Sequence, residues 1–280
     1  NVQTGREGLY DIVKSDSKKK VVVVGSGPAG LEAARVAALE GHDVTIYEKN
    51  GHIGGNAAVA ATPEFKTIKN LLEWFELQLK KLDVKICLNK GITPSSPELK
   101  EADEILIALG ANSWAPPIEG IDLPISIDVC DAHLNPQLIK GNKIAMCGGG
   151  LSGADSALEL AMKGKDVTII EMRDGIAIDT AFINKQSIMG KIKEYNVKVL
   201  VKTTVRKITS EGVIVTDAEG NETLVPADTV ITAFGVKPNK QSAEKIQEAY
   251  PDAVLIGDCE KAGNIGTAIR EGFTRAYAIS

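Results

Sequence analysis

The chain repeats one pattern at a constant separation of 123 residues, and this repeat constrains its fold more than any other feature. In each copy a β-branched run precedes a glycine-rich turn, an alanine-rich stretch, a single glycine and a second β-branched run that ends in glutamate. The first copy covers residues 21–48 and the second covers residues 143–171. Two copies of one pattern predict two similar structural units within a single chain.

Each copy predicts a βαβ unit whose turn binds the phosphates of a dinucleotide. The valine-rich runs are typical of buried parallel strands, and Gly41 and Gly164 end the helices between them. Of the three spaced glycines, the first makes the tight turn, the second lets a pyrophosphate approach, and the third lets helix and strand pack closely. The pyrophosphate then lies at the helix N-terminus, where free N–H groups favour anions.

A glutamate ends the second strand of each copy, and its carboxylate can accept hydrogen bonds from the ribose hydroxyls of an adenosine. These residues are Glu48 and Glu171. Glu171 would repel a 2′-phosphate, and only Arg173 nearby would offset that repulsion, so we expect NADH to be preferred over NADPH.

The remaining segments predict that the second unit is inserted in the first. Prolines between residues 116 and 124 indicate a crossing out of the first unit, and residues 234–239 indicate the return. A last strand, residues 253–258, precedes a helix over about 266–279. We therefore predict an α/β protein with two Rossmann-like, three-layer dinucleotide-binding domains. Their boundaries are residues 1–17 for an N-terminal extension, 18–116 with 239–280 for the first domain, and 117–238 for the second.

Composition limits the class of protein. Of 280 residues 44% are hydrophobic, which is enough for packed domains. Lys and Arg number 32 against 37 Asp and Glu, a net charge of −5, and aromatic residues make up 4%, so nucleic acid is not expected as a partner. No apolar run reaches about 18 residues, so no membrane span is expected.

Four cysteines without a Cys-x-x-Cys pair indicate neither a redox disulfide nor a zinc site, and the cytoplasm is the expected location. Because the chain begins with Asn1, we expect a piece of a longer or processed protein. The three histidines form no constellation; we expect His42 to be solvated at a helix end and His133 to lie in the linker. We therefore predict no catalytic side chain and no metal ligand.

The glycine turns, the two glutamates and the late Gly257-Asp258 pair make residues 18–280 similar to the flavoproteins that carry two dinucleotide-binding domains. The resemblance implies that the first domain binds FAD or ADP and that the second binds NAD(P)H. It also implies that Asp258 bonds the ribityl chain of FAD and that the last helix points its N-terminus at the flavin, where the helix dipole favours the negative charge of the reduced form.

The predicted cofactor-binding residues follow from these motifs. In the first domain they are Gly25, Gly27, Pro28, Ala29, Gly30, Glu48, Gly54, Gly55, Ala108, Gly110, Gly257, Asp258, Gly266, Thr267 and Ala268. In the second domain they are Gly148, Gly150, Ser152, Gly153, Glu171 and Gly235.

Two short segments narrow the resemblance to the C-terminal half of 2,4-dienoyl-CoA reductases, 2-enoate reductases and trimethylamine dehydrogenase. They are residues 54–63, where Asn56 stands for the usual glutamine, and residues 1–7, where Val2 stands for the usual proline. This resemblance implies an upstream half with an FMN-binding barrel and an iron–sulfur cluster. The chain would then be the electron-input module, passing hydride from NAD(P)H to FAD.

Two other functions stay open: a non-catalytic domain that holds ADP in place of FAD, and a stand-alone FAD-dependent NAD(P)H reductase. Disulfide reductases carry a cysteine pair after the Gly-Gly of the first domain, and residues 57–62 contain none. The parent substrate, the final electron acceptor and the oligomeric state, including a homo-oligomer, are not determined by the sequence.

Overall fold

The computed structural model describes residues 2–63 and 65–279. The chain divides into two compact units, of which the first is Asn1–Asn112 with Lys237–Ser280 and the second is Ser113–Val236. The second unit is therefore an insertion within the first. Residues 1–17, which the sequence sets apart as an extension, fall within the first unit.

The strands of the described residues are β1 (Lys20–Val24), β2 (Asp43–Tyr47), β3 (Lys85–Cys87), β4 (Glu104–Ile107), β5 (Ala111–Ser113), β6 (Ser126–Asp128), β7 (Lys143–Cys147), β8 (Asp166–Ile170), β9 (Lys198–Leu200), β10 (Thr204–Thr209), β11 (Gly212–Thr216), β12 (Glu222–Pro226), β13 (Thr229–Thr232), β14 (Val236–Pro238) and β15 (Val254–Leu255). The α-helices of the same residues are α1 (Pro28–Leu39), α2 (Asn56–Ala60), α3 (Ile68–Lys81), α4 (Val129–Leu134), α5 (Leu151–Met162), α6 (Phe182–Glu194), α7 (Lys240–Ala249) and α8 (Ile265–Ala276). Strands β5 and β14, at the two crossings between the units, form a two-stranded sheet.

The first unit contains a parallel sheet in the order β15-β4-β1-β2-β3, with helices on both faces. Side chains alternate between the faces of a strand. Val21 and Val23 therefore pack in one core with α1 and with Phe273 of α8. Val22 and Val24 pack in a second core with residues of α7. A strand buried on both faces explains the uninterrupted valine run.

The second unit repeats this plan with one change. Its parallel sheet has the order β6-β13-β7-β8-β9. Ile144 and Met146 pack with α5 on one face. Ala145 and Cys147 pack on the other face against the antiparallel sheet β10-β11-β12, through residues such as Val213. The layers are thus helix, parallel sheet and antiparallel sheet, and the predicted α/β fold class is confirmed.

Some elements differ from the sequence prediction. The helical spacing of apolar residues between 68 and 82 predicts a helix from about Glu64 to Lys81; the structure has helix α3 over Ile68–Lys81, and Glu64 lies outside the described part of the chain. Helix α4 lies in the stretch predicted as a linker, so the linker position of His133 was wrong: its Nδ1 is 3.3 Å from a carboxylate oxygen of Glu159. Among the described residues, none of the helices combines the length and apolar content needed to cross a membrane.

His42 is buried, with 5% of its surface exposed, so the expected solvated position was wrong. Its Nδ1 accepts a hydrogen bond from the backbone N–H of Lys19 at 3.3 Å, which draws the ring inward beside β1. Its Nε2 lies 3.9 Å from Oε2 of Glu40, and neither of these two buried atoms has a hydrogen-bond partner within the part of the chain that the structure describes. Burial raises the pKa of Glu40 to about 7 and lowers the pKa of His42.

Candidate dinucleotide-binding sites

The first glycine of each turn lies where the backbone of a neighbouring segment comes very close. Gly25 and Gly148 have φ values of +104° and +113°, which favour glycine. A side chain on Gly25 would collide with the carbonyl oxygen of Ala108, and one on Gly148 with that of Ala233. The third glycine of each turn is packed equally closely against the carbonyl oxygen of the first. These glycines are therefore required by the fold itself.

The second glycine of each turn has no such structural reason. Gly27 and Gly150 precede α1 and α5 with φ values of −67° and −62°, which any residue adopts. Among the described residues, a Cβ placed on either would have no atom within 4 Å apart from those of its chain neighbours. The surface above each is open at the start of a 12-residue helix, where backbone N–H groups attract anions. An open surface with these N–H donors is suited to an anion.

In the first unit a buried carboxylate holds the glycine turn. Glu48, with 4% of its surface exposed, accepts hydrogen bonds at Oε2 from the backbone N–H of Ser26 at 2.9 Å and from its hydroxyl at 2.7 Å. Its Oε1 accepts the N–H of Asn50 at 2.8 Å. Because each carboxylate oxygen has two lone pairs, Glu48 keeps acceptor capacity for ribose hydroxyls.

The second unit reproduces this arrangement at residues shifted by 123. Oε2 of Glu171, a residue with 5% of its surface exposed, accepts the N–H of Gly149 at 2.7 Å, and its Oε1 accepts the N–H of Arg173 at 2.8 Å. The guanidinium of Arg173 adds a longer contact to Oε1 at 3.3 Å. It also donates to Asp179 at 2.6 Å, and this hydrogen bond is the main cause that raises the pKa of Arg173.

Contacts within the first unit bring most of its predicted site residues together. The N–H of Gly54 donates to the carbonyl of Ser26 at 2.8 Å, and a Cβ on Gly55 would lie 3.3 Å from Cα of Gly27. A Cβ on Gly257 would lie 2.8 Å from that of Ala29. Three segments distant in sequence therefore meet around the first glycine turn.

The late Gly-Asp pair and the last helix are held by their own hydrogen bonds. Oδ1 of Asp258 accepts the N–H of Gly263 at 3.0 Å, and burial raises the pKa of this carboxyl group. Asn264 caps α8 with a capping box. Its Oδ1 accepts a hydrogen bond from the backbone N–H of Thr267 at 2.9 Å, and the hydroxyl oxygen of Thr267 accepts one from the backbone N–H of Asn264 at 2.9 Å. Gly266 is exposed in this first turn, whereas the side chain of Ala268 packs in the core.

Three residues that contact the glycine turn of the second unit were not predicted as site residues. Ala233 packs over the glycine turn as Ala108 does, and the similar sequence after both strands was a signal for it. The N–H of Ala177 donates to the carbonyl of Gly149 at 2.8 Å, and the side chain of Ile176 covers Gly149. No sequence pattern pointed to this loop, because one contact is made by a backbone N–H and the other by a single apolar side chain, and neither forms a motif.

The other predicted residues lie at the edges of these sites. Ser152 is exposed in the first turn of α5. Gly110 and Gly235 have positive φ, and their carbonyls accept the N–H groups of Asn239 and Trp114. Within the described residues, no group of three or more His, Cys, Asp or Glu side chains is arranged to hold a metal ion.

Residues 19–256 match the sequence family described as pyridine nucleotide-disulphide oxidoreductase. The chain belongs to this family. It is 38% identical over 285 residues to the cinnamate reductase of Clostridium sporogenes, covering 100% of this chain and 42% of that enzyme. It is 33% identical over 289 residues to the NADH oxidase of Thermoanaerobacter brockii, covering 100% of this chain and 44% of that protein.

A solved structure of 2-naphthoyl-CoA reductase in complex with 2-naphthoyl-CoA superposes with a TM-score of 0.93 at 32% identity, covering 100% of this chain and 43% of that one. The chain thus spans less than half the length of these relatives. The resemblance stated from the sequence is confirmed: this pyridine nucleotide-disulphide oxidoreductase chain is an FAD- and nicotinamide-binding reductase half.

Proposed function

We propose that the chain is the electron-input module of a longer reductase, which takes electrons from NADH, holds FAD and supplies a second half that carries an iron–sulfur cluster and FMN. The observation that carries this proposal is one arrangement present in both units: a buried glutamate that holds an open glycine turn. Two such turns in one chain suit one dinucleotide that donates electrons and one that accepts them.

The second half is inferred from the length of the relatives and from the resemblance of residues 1–7 and 54–63. The names of two relatives give cinnamate and 2-naphthoyl-CoA as the compounds concerned. We extend this chemical class to the whole protein, in which the missing half would reduce an unsaturated bond conjugated to a carboxyl or thioester group. The cytoplasmic location and any homo-oligomer stay predictions from the sequence.

Hydride transfer between nicotinamide and flavin is chemistry that the two cofactors supply when they are bound. The residues of the chain bind and orient them. The turns that contain Gly27 and Gly150 take the pyrophosphates, and Glu48 and Glu171 accept the adenosine ribose hydroxyls. Asp258 takes the ribityl chain and the exposed first turn of α8 faces the flavin. No side chain is assigned as a general acid or base.

NADH is the proposed donor because the carboxylate of Glu171 would lie beside a 2′-phosphate. Its two oxygens already hold the N–H groups of Gly149 and Arg173, so the carboxylate is fixed in place as well as buried. A dianionic phosphate beside a fixed carboxylate is strongly disfavoured.

The test is an absorbance spectrum of the purified chain after incubation with FAD and desalting, followed by anaerobic titration with NADH and NADPH. We expect flavin bands that stay with the protein and bleach with stoichiometric NADH, and much more slowly with NADPH. Retained flavin that NADH leaves oxidised would contradict the electron-input role. Faster bleaching by NADPH would contradict the choice of donor.

A second candidate, a domain that holds ADP without electron flow, is favoured by the position of the strongest contacts. The glycine turn and Glu48 serve the half of FAD that is identical to ADP, whereas the N–H of Thr267 and one oxygen of Asp258 are used within the protein. Asp258→Asn distinguishes the two. If FAD is the ligand, this variant binds FAD roughly tenfold more weakly and ADP unchanged. The exposed Asp252→Asn is the matched control.

A further inference from the structure

The second unit contains an ion pair that has no counterpart at the corresponding described residues of the first unit. The guanidinium of Arg173 lies between two carboxylates, at 3.3 Å from Oε1 of Glu171 and 2.6 Å from Oδ2 of Asp179. At the corresponding positions, 123 residues earlier, the first unit has Asn50 and Asn56. The N–H of residue 50 still donates to Glu48 at 2.8 Å, as that of Arg173 does to Glu171. The shared framework therefore does not need the ion pair.

Stability does not account for the pair either. The side chain of Asp179 is 82% exposed and that of Arg173 is 36% exposed. Ion pairs this exposed contribute about 0–1 kcal/mol to folding because water and salt screen them. The loop between the two residues is already attached through the N–H of Ala177 and the side chain of Ile176, both on Gly149.

The position of the ion pair in the second unit explains its presence better than its contribution to folding stability does. Arg173 follows the strand end at which an adenosine ribose is recognised in this kind of unit. A guanidinium is the side chain best suited to bind a phosphate, since its fork of donors fits two oxygens. Here Nε of that fork donates to Glu171 and Nη1 donates to Asp179, so two of its donors are used by carboxylates.

We propose that Asp179 is a specificity-determining positioning residue, which holds the guanidinium of Arg173 against Glu171 and so keeps the second unit selective for a ribose without a 2′-phosphate. This inference rests on the proposed function, in which the second unit binds the nicotinamide dinucleotide. Glu171 excludes the phosphate directly, whereas Asp179 acts through Arg173. Release of Arg173 would supply a cation able to bind NADPH.

The experiment uses the FAD-loaded chain with an artificial dye as electron acceptor and measures KM and kcat with NADH and with NADPH, together with the dissociation constants of 5′-AMP and 2′,5′-ADP. In Asp179→Asn and Asp179→Ala we expect 2′,5′-ADP to bind about 5- to 10-fold more tightly, and we expect the KM for NADPH to fall by a similar factor. This change corresponds to the gain of about one charge-assisted hydrogen bond. The kcat values and the KM for NADH should change less than twofold.

A double variant separates positioning from simple charge removal. If Asp179 acts through Arg173, adding Arg173→Gln to Asp179→Asn abolishes the gain for 2′,5′-ADP. If the carboxylate of Asp179 repelled the phosphate directly, the double variant would keep the gain, and the proposal would be overturned. The matched control is Glu119→Gln, which removes an exposed carboxylate that pairs with Lys207 in the same unit. An equal gain in Glu119→Gln would also overturn it.

Failure of the proposed function has a different signature. An unaltered chain that binds neither 5′-AMP nor NADH would show that the second unit is not a nicotinamide dinucleotide site. An unaltered chain that binds both, with Asp179 variants unchanged in their affinity for 2′,5′-ADP, would leave the proposed function intact and reject the role of Asp179.

Discussion

At the scale of single residues, the pair formed by Glu40 and His42 shows that polar side chains at a helix end can be buried. Both side chains lie at the C-terminal end of α1, and each has a buried atom that forms no hydrogen bond with any described residue. Such atoms lose their hydration on folding without compensation. The two groups therefore resist charge: burial keeps the carboxyl protonated to a higher pH and the imidazole neutral to a lower one.

This pair makes stability depend on pH with a sign that can be worked out. The pKa of Glu40 rises from 4.5 in the unfolded chain to about 7 in the folded chain. The folded state therefore holds a proton that the unfolded state loses between these values, and stability falls as pH rises through that window. We expect Glu40→Gln to remove this fall and to raise the free energy of unfolding at pH 8 by on the order of 1–3 kcal/mol.

The measurement is urea unfolding at a series of pH values. His42 acts in the opposite direction, because a lowered pKa costs stability as pH falls below 6.5, and this slope should remain in Glu40→Gln. Glu76→Gln, at an exposed position of α3, is the control for loss of one carboxylate. A difference between Glu40→Gln and the unaltered chain that stays constant from pH 4.5 to pH 8 would contradict the assignment.

At the scale of elements, prediction succeeded where pattern and packing coincide. The valines of β1 and most alanines of α1 are buried, as the motif predicts. The residue types alone therefore indicated where these two elements lie. Helix α7 was missed because only Ala243 and Ile246 of it are fully buried, and all its other side chains except Ala249 are polar. Strand β12 was missed because its burial is confined to Val225.

The geometry of the two glycine turns was predictable to the same extent, whereas their role in binding cofactors stays a prediction. The glycine spacing and the carboxylate at a strand end are signals that a short stretch of sequence carries. In both units the glycines and the carboxylate make the contacts of the turn. The loop with Ile176 and Ala177 was not predictable, because it contacts Gly149 through one backbone N–H and one apolar side chain, and neither leaves a motif in the sequence. The capping role of Thr267 was not predicted, because its partner Asn264 lies outside the helix that the sequence predicts.

The N-terminal segment packs on α8 through aromatic rings, and this gives a prediction at the same scale. Tyr10 makes edge-to-face contacts with Phe273 at 5.4 Å and Tyr277 at 5.6 Å between ring centroids. Each such pair contributes about 0.5–1.5 kcal/mol beyond its buried area. We expect Tyr10→Ala to lower the free energy of unfolding by roughly 2–3 kcal/mol. It should also expose residues 1–17 to limited proteolysis.

The neighbouring Leu9 supplies the control, since 71% of its surface is exposed. Leu9→Ala should change the free energy of unfolding by less than about 0.5 kcal/mol, as is usual at exposed positions. Equal effects of the two substitutions, or a Tyr10→Ala chain as resistant to protease as the unaltered one, would contradict a packed N-terminal segment.

At the scale of the whole molecule, the repeat separates what the fold needs from what a ligand needs. The first glycine of each turn is enclosed by protein, and the second is open. Gly27→Ala and Gly150→Ala should therefore leave the thermal stability of the ligand-free chain almost unchanged, because glycine and alanine at a helix N-cap differ by little more than about 1 kcal/mol. Gly25→Ala should destabilise it strongly, since positive φ and a backbone collision coincide there.

Ligand-induced shifts in melting temperature then assign one nucleotide to each unit. A ligand at 100 times its dissociation constant stabilises the folded state by about 2.7 kcal/mol. We expect FAD or ADP to raise the melting temperature of the unaltered chain, and NADH to do so separately. Gly27→Ala should remove the shift with FAD or ADP and keep that with NADH, whereas Gly150→Ala should do the reverse. If either substitution removed both shifts, or if Gly27→Ala removed only the shift with NADH, the assignment of FAD to the first unit and of the nicotinamide cofactor to the second would be wrong.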